Sequence, residues 1–323
     1  MGALLKVSSA AKEIYGCSET SEESWINYAY ALMCIAGADE GVDEAEMKWL
    51  LEDFSELIDA HENFFEAVKS FDYKNSNLQD ILNKIEFKVK INYKRALLYD
   101  SIKMSHADNN YSEDEKKAVK MCSEMLEIPE YMAKTIEGLV NTEKSIEATR
   151  RSIFEFEDKK LSDFSSKIRQ TTKLVQHAYG LKETSDVIDL NYGYALMCIA
   201  GADGEVSEDE KEWYRYNFAY ISQIPEQIVS KVLNVDFKKL DLNEILNKLP
   251  HEMSLSFSKT LIYNSIKMSR ADGEYPLEER EAVKEAAAIM GVPANITNTL
   301  DYLTDAEEKV NQMRRTLFST DEK

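Results

Sequence analysis

The chain has few of the residues that usually mark catalytic, zinc-binding or disulfide-bonded proteins. Its 323 residues include only four histidines and four cysteines, and no Cys-x-x-Cys pair occurs. This argues against a disulfide framework and against a zinc site. A glycine-rich phosphate loop and a Gly-x-Ser-x-Gly nucleophile motif are also missing, so we expect a protein that is not an enzyme.

Long apolar runs are missing as well. No stretch approaches the roughly 20 apolar residues that span a bilayer, and the start of the chain does not resemble a secretion signal, so we predict no membrane insertion and a cytoplasmic location. The net charge of −20 repels phosphate backbones and attracts cations and basic partners. We therefore expect protein partners and no nucleic acid, while the sequence leaves the oligomeric state open.

An internal duplication organises the chain. The segment Asn27–Asp39 recurs as Asn191–Asp203 with one difference, Ala29 against Gly193. The same offset of 164 residues relates further segments without a gap: Ile81–Lys84 with Ile245–Lys248, Ser101–Ser105 with Ser265–Ser269, and Arg150-Arg151 with Arg314-Arg315. We therefore predict two tandem domains, residues 1–160 and residues 161–323.

Apolar residues recur at helical spacing almost throughout, and only 11 glycines and 5 prolines interrupt them. This predicts an all-α fold of two tandem helical-bundle modules, with about seven helices each, joined by a long helix. In the first module the predicted helices cover residues 4–15, 22–38, 43–57, 60–70, 77–86, 89–107 and 113–126, with an eighth near 130–140. The joining segment, Asn141 to Tyr179, is expected to form one long helix or two stacked helices, the alternative being a bend near Asp158 to Asp163.

Four acidic turns separate predicted helices. In each turn, an aspartate at the end of one helix precedes by seven positions a glutamate at the start of the next. The turns are Asp39–Glu46, Asp108–Glu115, Asp203–Glu210 and Asp272–Glu279. Their candidate metal ligands are Asp39, Asp43, Glu46, Asp108, Ser112, Glu115, Asp203, Glu205, Glu210, Asp272, Glu274 and Glu279.

Helix capping explains part of this pattern without any metal. Ser207 with Glu210 and Ser112 with Glu115 have the spacing of a capping box, in which each side chain accepts a backbone N–H of the other residue, and Asp43 with Glu46 is a close variant. Pro276 takes the cap position in the fourth turn. A helical scaffold whose acidic turns are only capped helix junctions is therefore the alternative hypothesis.

The leading aspartate of each turn is not explained by capping. It ends a helix whose C-terminus is already negative, where a carboxylate is unfavourable by about 0.3–1 kcal/mol. Either a bound cation or a local hydrogen bond from the turn's own amides would offset that cost. Oxygen ligands without histidine or cysteine favour Ca²⁺ or Mg²⁺. The turns are not EF-hands, because the sixth and twelfth positions counted from Asp108 are Glu113 and Val119.

At these turns the chain resembles the TerB-like (tellurite-resistance TerB) family. The segments that carry the resemblance are Ala202–Glu210 and Ala271–Glu279, in which a helix ends in Ala-Asp-Gly before a short turn and an acidic helix start. The first module departs from the pattern, because Glu40 and Asn109 replace the glycine. The resemblance implies a seven-helix bundle with both turns in one acidic patch, divalent-cation binding, stress-response and protein-partner roles, and no catalysis.

Two other repeated features bear on function. The paired arginines Arg150-Arg151 and Arg314-Arg315 follow acidic helices, so we expect them to be solvated or to pair with carboxylates of their own module. Methionines repeat within helices at Met33, Met104, Met197 and Met268. We interpret them as core residues, with a methionine-lined groove that opens on Ca²⁺ binding as the alternative.

Overall fold

The computed structural model describes most of the chain. The described residues are 4–6, 11, 14–15, 19–37, 41–86, 92–107, 113–154, 168–172, 175–176, 181–249 and 255–319. The fold class is all-α, as the sequence predicts. None of the described helices combines the length with the apolar character that crossing a bilayer requires.

The first half of the sequence contains two short strands and a series of helices. The strands are β1 (Leu4–Lys6) and β2 (Glu19–Ser21). The helices are α1 (Glu22–Ala36), α2 (Glu44–Trp49), α3 (Ser55–Leu57), α4 (Glu62–Ser70), α5 (Leu78–Leu82), α6 (Tyr93–Ser105), α7 (Glu113–Met125) and α8 (Glu130–Phe154). A π-helical turn at Leu50–Phe54 joins α2 to α3, and a 3-10 turn covers Tyr73–Asn75.

The second half repeats these elements about 164 residues later. Its strands are β3 (Ile168–Gln170) and β4 (Glu183–Ser185). Its helices are α9 (Asp186–Ala200), α10 (Glu208–Glu212), α11 (Glu226–Leu233), α12 (Leu242–Leu246), α13 (Leu255–Ser269), α14 (Leu277–Ile289) and α15 (Ala294–Phe318). Two 3-10 turns, Gly201–Asp203 and Phe237–Lys239, and a π-helical segment, Trp213–Ala219, complete the series.

The strands correct two predictions of helix. β1 pairs with β2 and β3 pairs with β4, both antiparallel, with Leu4 opposite Ser21 and Ile168 opposite Ser185. The predicted helix over residues 4–15 is therefore wrong at its start. The predicted continuous helix over residues 141–179 is wrong at β3, because strand pairing supplies hydrogen bonds that periodicity does not reveal. The suggested bend near Asp158 to Asp163 lies outside the described residues.

The chain divides by contact into two compact units. Unit 1 comprises Met1–Lys144 with Lys309–Lys323, and unit 2 comprises Ser145–Glu308. The predicted domains, 1–160 and 161–323, describe the duplication, whereas these units divide the chain differently. Each of the two longest described helices, α8 and α15, begins in one unit and ends in the other.

A central helix organises each core. In unit 1, α1 packs against α4, α5, α6 and α7, and in unit 2, α9 packs against α11, α12, α13 and α14. Met33, Met104, Met197 and Met268 are all buried, which agrees with their interpretation as core residues. Gly201, which ends α9, lies so close to the Phe237 ring that an added Cβ would stand 2.4 Å from it, so this contact requires glycine.

Candidate functional site

The two turns of unit 2 place their leading aspartates in the same local structure. The Oδ1 atom of Asp203 accepts the Glu205 backbone N–H at 3.0 Å, and Oδ1 of Asp272 accepts the Glu274 N–H at 2.9 Å. Gly204 and Gly273 lie between donor and acceptor with φ of +108° and +89°, a conformation that glycine adopts without strain. The turn's own amides thus offset these two carboxylates, which is the local alternative to a cation.

The first acidic turn of each module ends in a capping box. Ser207 Oγ accepts the Glu210 N–H at 3.2 Å, and Glu210 Oε2 accepts the Ser207 N–H at 2.7 Å. In the first module, Asp43 Oδ1 accepts the Glu46 N–H at 2.7 Å and Glu46 Oε2 accepts the Asp43 N–H at 3.0 Å. The capping predictions at these two turns are confirmed. Pro276 takes the cap position before α14, as predicted, without a side-chain hydrogen bond.

The glutamates that end the two acidic turns of unit 2, Glu210 and Glu279, are buried. Glu210 is 2% exposed and Glu279 is 3% exposed. One carboxylate oxygen of each, Oε1 of Glu210 and Oε2 of Glu279, is buried without a hydrogen-bond partner. A buried oxygen that has lost its water without gaining a donor costs about 1–3 kcal/mol, and more when the group is charged. These two atoms, rather than the aspartates, are the unexplained feature of the turns.

Burial and mutual repulsion shift the acidity of both glutamates. Burial raises the pKa of Glu210 to about 7, and the neighbouring Asp272 and Asp203 add to that rise. Burial also raises the pKa of Glu279 to about 8, with further contributions from Glu210, Asp203 and Asp272. The Ser269 hydroxyl lies near enough to oppose that rise, although it makes no hydrogen bond, like Glu279 Oε2. The charges of these four groups act on one another, and we call Asp203, Glu210, Asp272 and Glu279 the carboxylate cluster.

The fold accounts for this proximity. The 3-10 turn Gly201–Asp203 packs against α14, whose first turn carries Glu279. In unit 2 the first acidic turn thus lies beside the helix that begins after the second acidic turn. Within the described ranges, no member of the carboxylate cluster forms an ion pair with a lysine or arginine, and no three His, Cys, Asp or Glu side chains are already arranged to hold a metal ion.

The remaining predicted ligands contribute differently. The side chains of Glu205 and Glu274 are exposed, and the backbone N–H groups of these residues bond the aspartates. Glu46 is buried, like its counterpart Glu210. Asp39, Asp108 and Ser112 lie outside the described residues, and Glu115 lies in α7 with its side chain outside them.

Sequence reasoning missed the partners of the repeated arginines. Arg314 Nη1 donates to Glu143 Oε1 at 2.5 Å in unit 1, and Arg150 Nη1 lies 3.5 Å from Glu307 Oε1 in unit 2. The prediction that the paired arginines are solvated or pair within their own sequence module is therefore wrong for Arg150 and Arg314, whereas Arg151 is exposed and pairs with Glu147 of its own module, as predicted. A signal was present, because a phenylalanine follows each of these arginines by four positions, Phe154 and Phe318, as expected for one face of a helix.

Comparisons with known proteins give little further identification. No protein-family model matches the chain, and no curated protein matches it significantly. Among solved structures, the crystal structure of a tellurite resistance protein from Nostoc punctiforme is similar over 45% of this chain and 88% of that chain, with 22% sequence identity and a TM-score of 0.39. These values do not assign the chain to a family.

Proposed function

We propose that the carboxylate cluster of unit 2 binds a divalent cation, with Ca²⁺ the first candidate and Mg²⁺ the second. The observation that carries this proposal is the pair of buried, unpartnered oxygens on Glu210 and Glu279. Two carboxylates buried beside two others repel each other, so each must be neutralised by a proton or a cation. A divalent cation neutralises two carboxylates at once and supplies a partner to both oxygens.

The available oxygens suit Ca²⁺ in number and in flexibility. Asp203 and Asp272 each use Oδ1 for a turn amide, which leaves Oδ2 for a ligand. The exposed carboxylates of Glu205 and Glu274 follow two residues later in the same turns. Ca²⁺ accepts six to eight oxygen ligands in adaptable geometry, whereas Mg²⁺ demands a near-ideal octahedron. Binding requires movement of the exposed aspartates, since the side chains are not already arranged around a metal.

The wider proposal is a non-enzymatic, cytoplasmic protein made of two tandem TerB-like modules that presents helical surfaces to protein partners. The resemblance of Ala202–Glu210 and Ala271–Glu279 to the TerB-like pattern supports it, together with the negative net charge of −20. A stress-response role rests on the same resemblance. Among the described turns, cation binding is proposed only for unit 2, where the carboxylates meet.

The alternative is a helical scaffold whose acidic turns only cap helices. The capping boxes at Asp43 and Ser207 favour it, as do the turn hydrogen bonds of Asp203 and Asp272. In that case, Glu210 and Glu279 hold protons near neutral pH.

Calorimetric titration of Ca²⁺ and Mg²⁺ into the chelator-stripped full chain separates the two hypotheses. If the cluster binds Ca²⁺, heat is released or absorbed, and the melting temperature rises because the native state is stabilised by about 2.7 kcal/mol when the free ion is 100 times Kd. An unchanged melting temperature with no heat of binding leaves only the scaffold.

Matched variants test the assignment of the site. Glu210→Gln with Glu279→Gln, and Asp203→Asn with Asp272→Asn, are each expected to weaken Ca²⁺ binding at least tenfold. The control is Glu208→Gln with Glu278→Gln, which removes the same charge from exposed positions of the same helices and should change affinity less than twofold. Equal affinity in all three variants would contradict the site.

A further inference from the structure

The helix that leads into the second acidic turn of unit 2 ends in a buried serine. Ser269, the last residue of α13, is 1% exposed, and its Oγ atom has no hydrogen-bond partner. Asp272, the first residue of the turn, follows shortly after it. A buried hydroxyl that has lost its water without gaining a partner costs about 1–3 kcal/mol. Ser269 therefore adds a further buried oxygen without a partner to those of Glu210 and Glu279.

The Ser269 hydroxyl does not use the partner that its own helix offers. Other hydroxyls of α13 donate to the carbonyl four residues earlier. Thr260 Oγ1 donates to the Ser256 carbonyl at 2.9 Å. Ser265 Oγ donates to the Leu261 carbonyl at 2.8 Å. Such a bond is the common way in which a serine inside a helix satisfies its hydroxyl. Because Ser269 makes no bond of this kind, its hydroxyl is available to another group.

The group nearest in effect is Glu279. The Ser269 hydroxyl opposes the rise that burial causes in the pKa of Glu279, and this effect requires the hydroxyl to lie close to the carboxylate. The fold places them so, because α13 and α14 pack against each other and residues 270–276 alone separate the two helices along the chain. The Ser269 hydroxyl therefore faces the carboxylate cluster.

A serine hydroxyl suits a cation site among carboxylates. Its oxygen carries two lone pairs, and its hydrogen can be donated at the same time to a neighbouring carboxylate. It adds a ligand without adding negative charge to a cluster whose members already repel one another. Together with Oε1 of Glu210 and Oε2 of Glu279, Ser269 Oγ forms a set of buried, unpartnered oxygens. Oxygen ligands of this kind are those that Ca²⁺ and Mg²⁺ accept.

We propose that Ser269 is a ligand of the cation bound by the carboxylate cluster and that it makes the site prefer Ca²⁺ to Mg²⁺. Buried ligands require the ion to lose water on the side that faces them. Ca²⁺ takes six to eight oxygen ligands in adaptable geometry, whereas Mg²⁺ loses water reluctantly and usually keeps several water molecules. The exposed aspartates of the turns, Asp203 and Asp272, can hold a hydrated Mg²⁺ without Ser269. This inference rests on the cation binding proposed above and adds the residue that sets its specificity.

Calorimetric titration of Ca²⁺ and of Mg²⁺ into the chelator-stripped full chain tests the proposal. Ser269→Ala is expected to raise the Kd for Ca²⁺ about tenfold or more and the Kd for Mg²⁺ less than about threefold. The control is Ser258→Ala, because Ser258 lies on the same helix, is 0% exposed and also has an Oγ without a partner. It lies about three turns earlier, roughly 16 Å along the helix, and its variant should change neither Kd more than about twofold.

The outcomes separate this inference from the cation site itself. If the wild type binds Ca²⁺ and Ser269→Ala binds it with an unchanged Kd, Ser269 is not a ligand, although the carboxylate cluster still binds the ion. An equal loss of affinity for both ions would overturn the specificity. If the wild type binds neither ion, the cation site fails as a whole.

The melting temperature without cation supplies a second measurement. A hydroxyl without a partner contributes no hydrogen bond, so Ser269→Ala should melt at or above the wild-type temperature in the absence of cation. Ser269→Cys fills nearly the same space with sulfur and should lose Ca²⁺ affinity as Ser269→Ala does, because Ca²⁺ prefers oxygen ligands. A lower melting temperature of Ser269→Ala without cation, or full Ca²⁺ affinity in Ser269→Cys, would contradict the assignment of Ser269 as a ligand.

Discussion

At the residue scale, the two units differ at one pair of equivalent buried positions, where one residue can ionise and the other cannot. Asp100 is buried in unit 1, where its Oδ2 accepts the hydroxyls of Tyr15 and Tyr28 at 2.8 and 2.7 Å. Burial raises its pKa from 3.8 to about 6, although the two hydroxyls oppose that rise. The equivalent residue in unit 2 is Asn264, whose amide donates to Tyr192. At this position, unit 1 therefore carries a buried ionisable group and unit 2 carries a neutral amide.

Asp100→Asn should remove a pH dependence of stability. Because the folded state holds the proton more tightly than the unfolded state, this group's contribution is largest below about pH 4 and is lost as the pH rises through about 6. The loss should be roughly 1–3 kcal/mol, since one unit of pKa corresponds to about 1.4 kcal/mol. Urea denaturation of the wild type and the variant between pH 4 and 7 measures the difference. If the free energy of unfolding depends on pH in the same way in both proteins, Asp100 does not titrate between pH 4 and 7.

A second residue-scale prediction concerns close packing at Gly201. In Gly201→Ala the new Cβ would stand 2.4 Å from the Phe237 ring, so overpacking should lower the free energy of unfolding by about 1–3 kcal/mol. Gly138→Ala in α8 is the matched control, because nothing lies within 4 Å of its added Cβ. There, helix propensity should raise stability by up to about 1 kcal/mol. Thermal melts of both variants measure these effects, and a stable Gly201→Ala protein would refute the packing argument.

At the element scale, the predictable features are those with local causes. The cap residues Asp43 and Ser207 were predictable because a capping box needs only a short sequence pattern. The positions of most helices followed from the spacing of apolar residues. Strands β1 and β3 were not predictable in the same way, because pairing with β2 and β4 depends on residues about 15 positions away. Short, partly polar strands carry no clear alternation of their own.

The candidate site was predictable to the same local extent. Its residues Asp203, Glu210, Asp272 and Glu279 were identified from the repeated turns, whereas the burial of the two glutamates depends on how the turn Gly201–Asp203 packs against α14. Their unpartnered oxygens are a tertiary property. A single sequence reports the carboxylates, but only the packing reveals which of them need an external partner.

The ends of the two long helices supply a prediction at this scale. Arg314 is buried and donates to the partly buried Glu143, which keeps only Lys103 at 3.9 Å and the Tyr99 hydroxyl in Arg314→Ala, so the loss of this charged hydrogen bond should cost about 1.5–3 kcal/mol. Arg151→Ala is the comparison, because Arg151 pairs with Glu147 on an exposed helix face and such pairs contribute about 0–1 kcal/mol. Chemical denaturation of the two variants gives both values. Similar losses would contradict the distinction between buried and exposed pairs.

At the scale of the whole molecule, the units and the sequence repeats do not coincide. The end of the first repeat's helix lies in the core of unit 2, where Phe154 contacts Tyr263, and the end of the second repeat's helix lies in unit 1. The stability of each unit therefore depends on residues encoded in the other repeat. Duplication alone predicts two independent domains, each stabilised by its own residues.

Truncation of the two phenylalanines distinguishes these cases. Phe154→Ala should loosen unit 2, and Phe318→Ala should loosen unit 1, each by about 3–5 kcal/mol, because a fully buried ring is removed. Hydrogen exchange followed by mass spectrometry locates the loss. Protection should fall in α13 for Phe154→Ala and in α6 for Phe318→Ala. A loss confined to the repeat that carries the substitution would contradict the division into units.

The shared helices also limit how this chain can change in length. Each added residue rotates the following part of an α-helix by about 100° and advances it by about 1.5 Å. One residue inserted between Arg314 and Phe318 would turn Phe318 away from Tyr99 while Arg314 stayed beside Glu143, although every side chain would be retained. The last turns of α8 and α15 should therefore tolerate substitution better than insertion or deletion, because each arginine and phenylalanine must stay four residues apart.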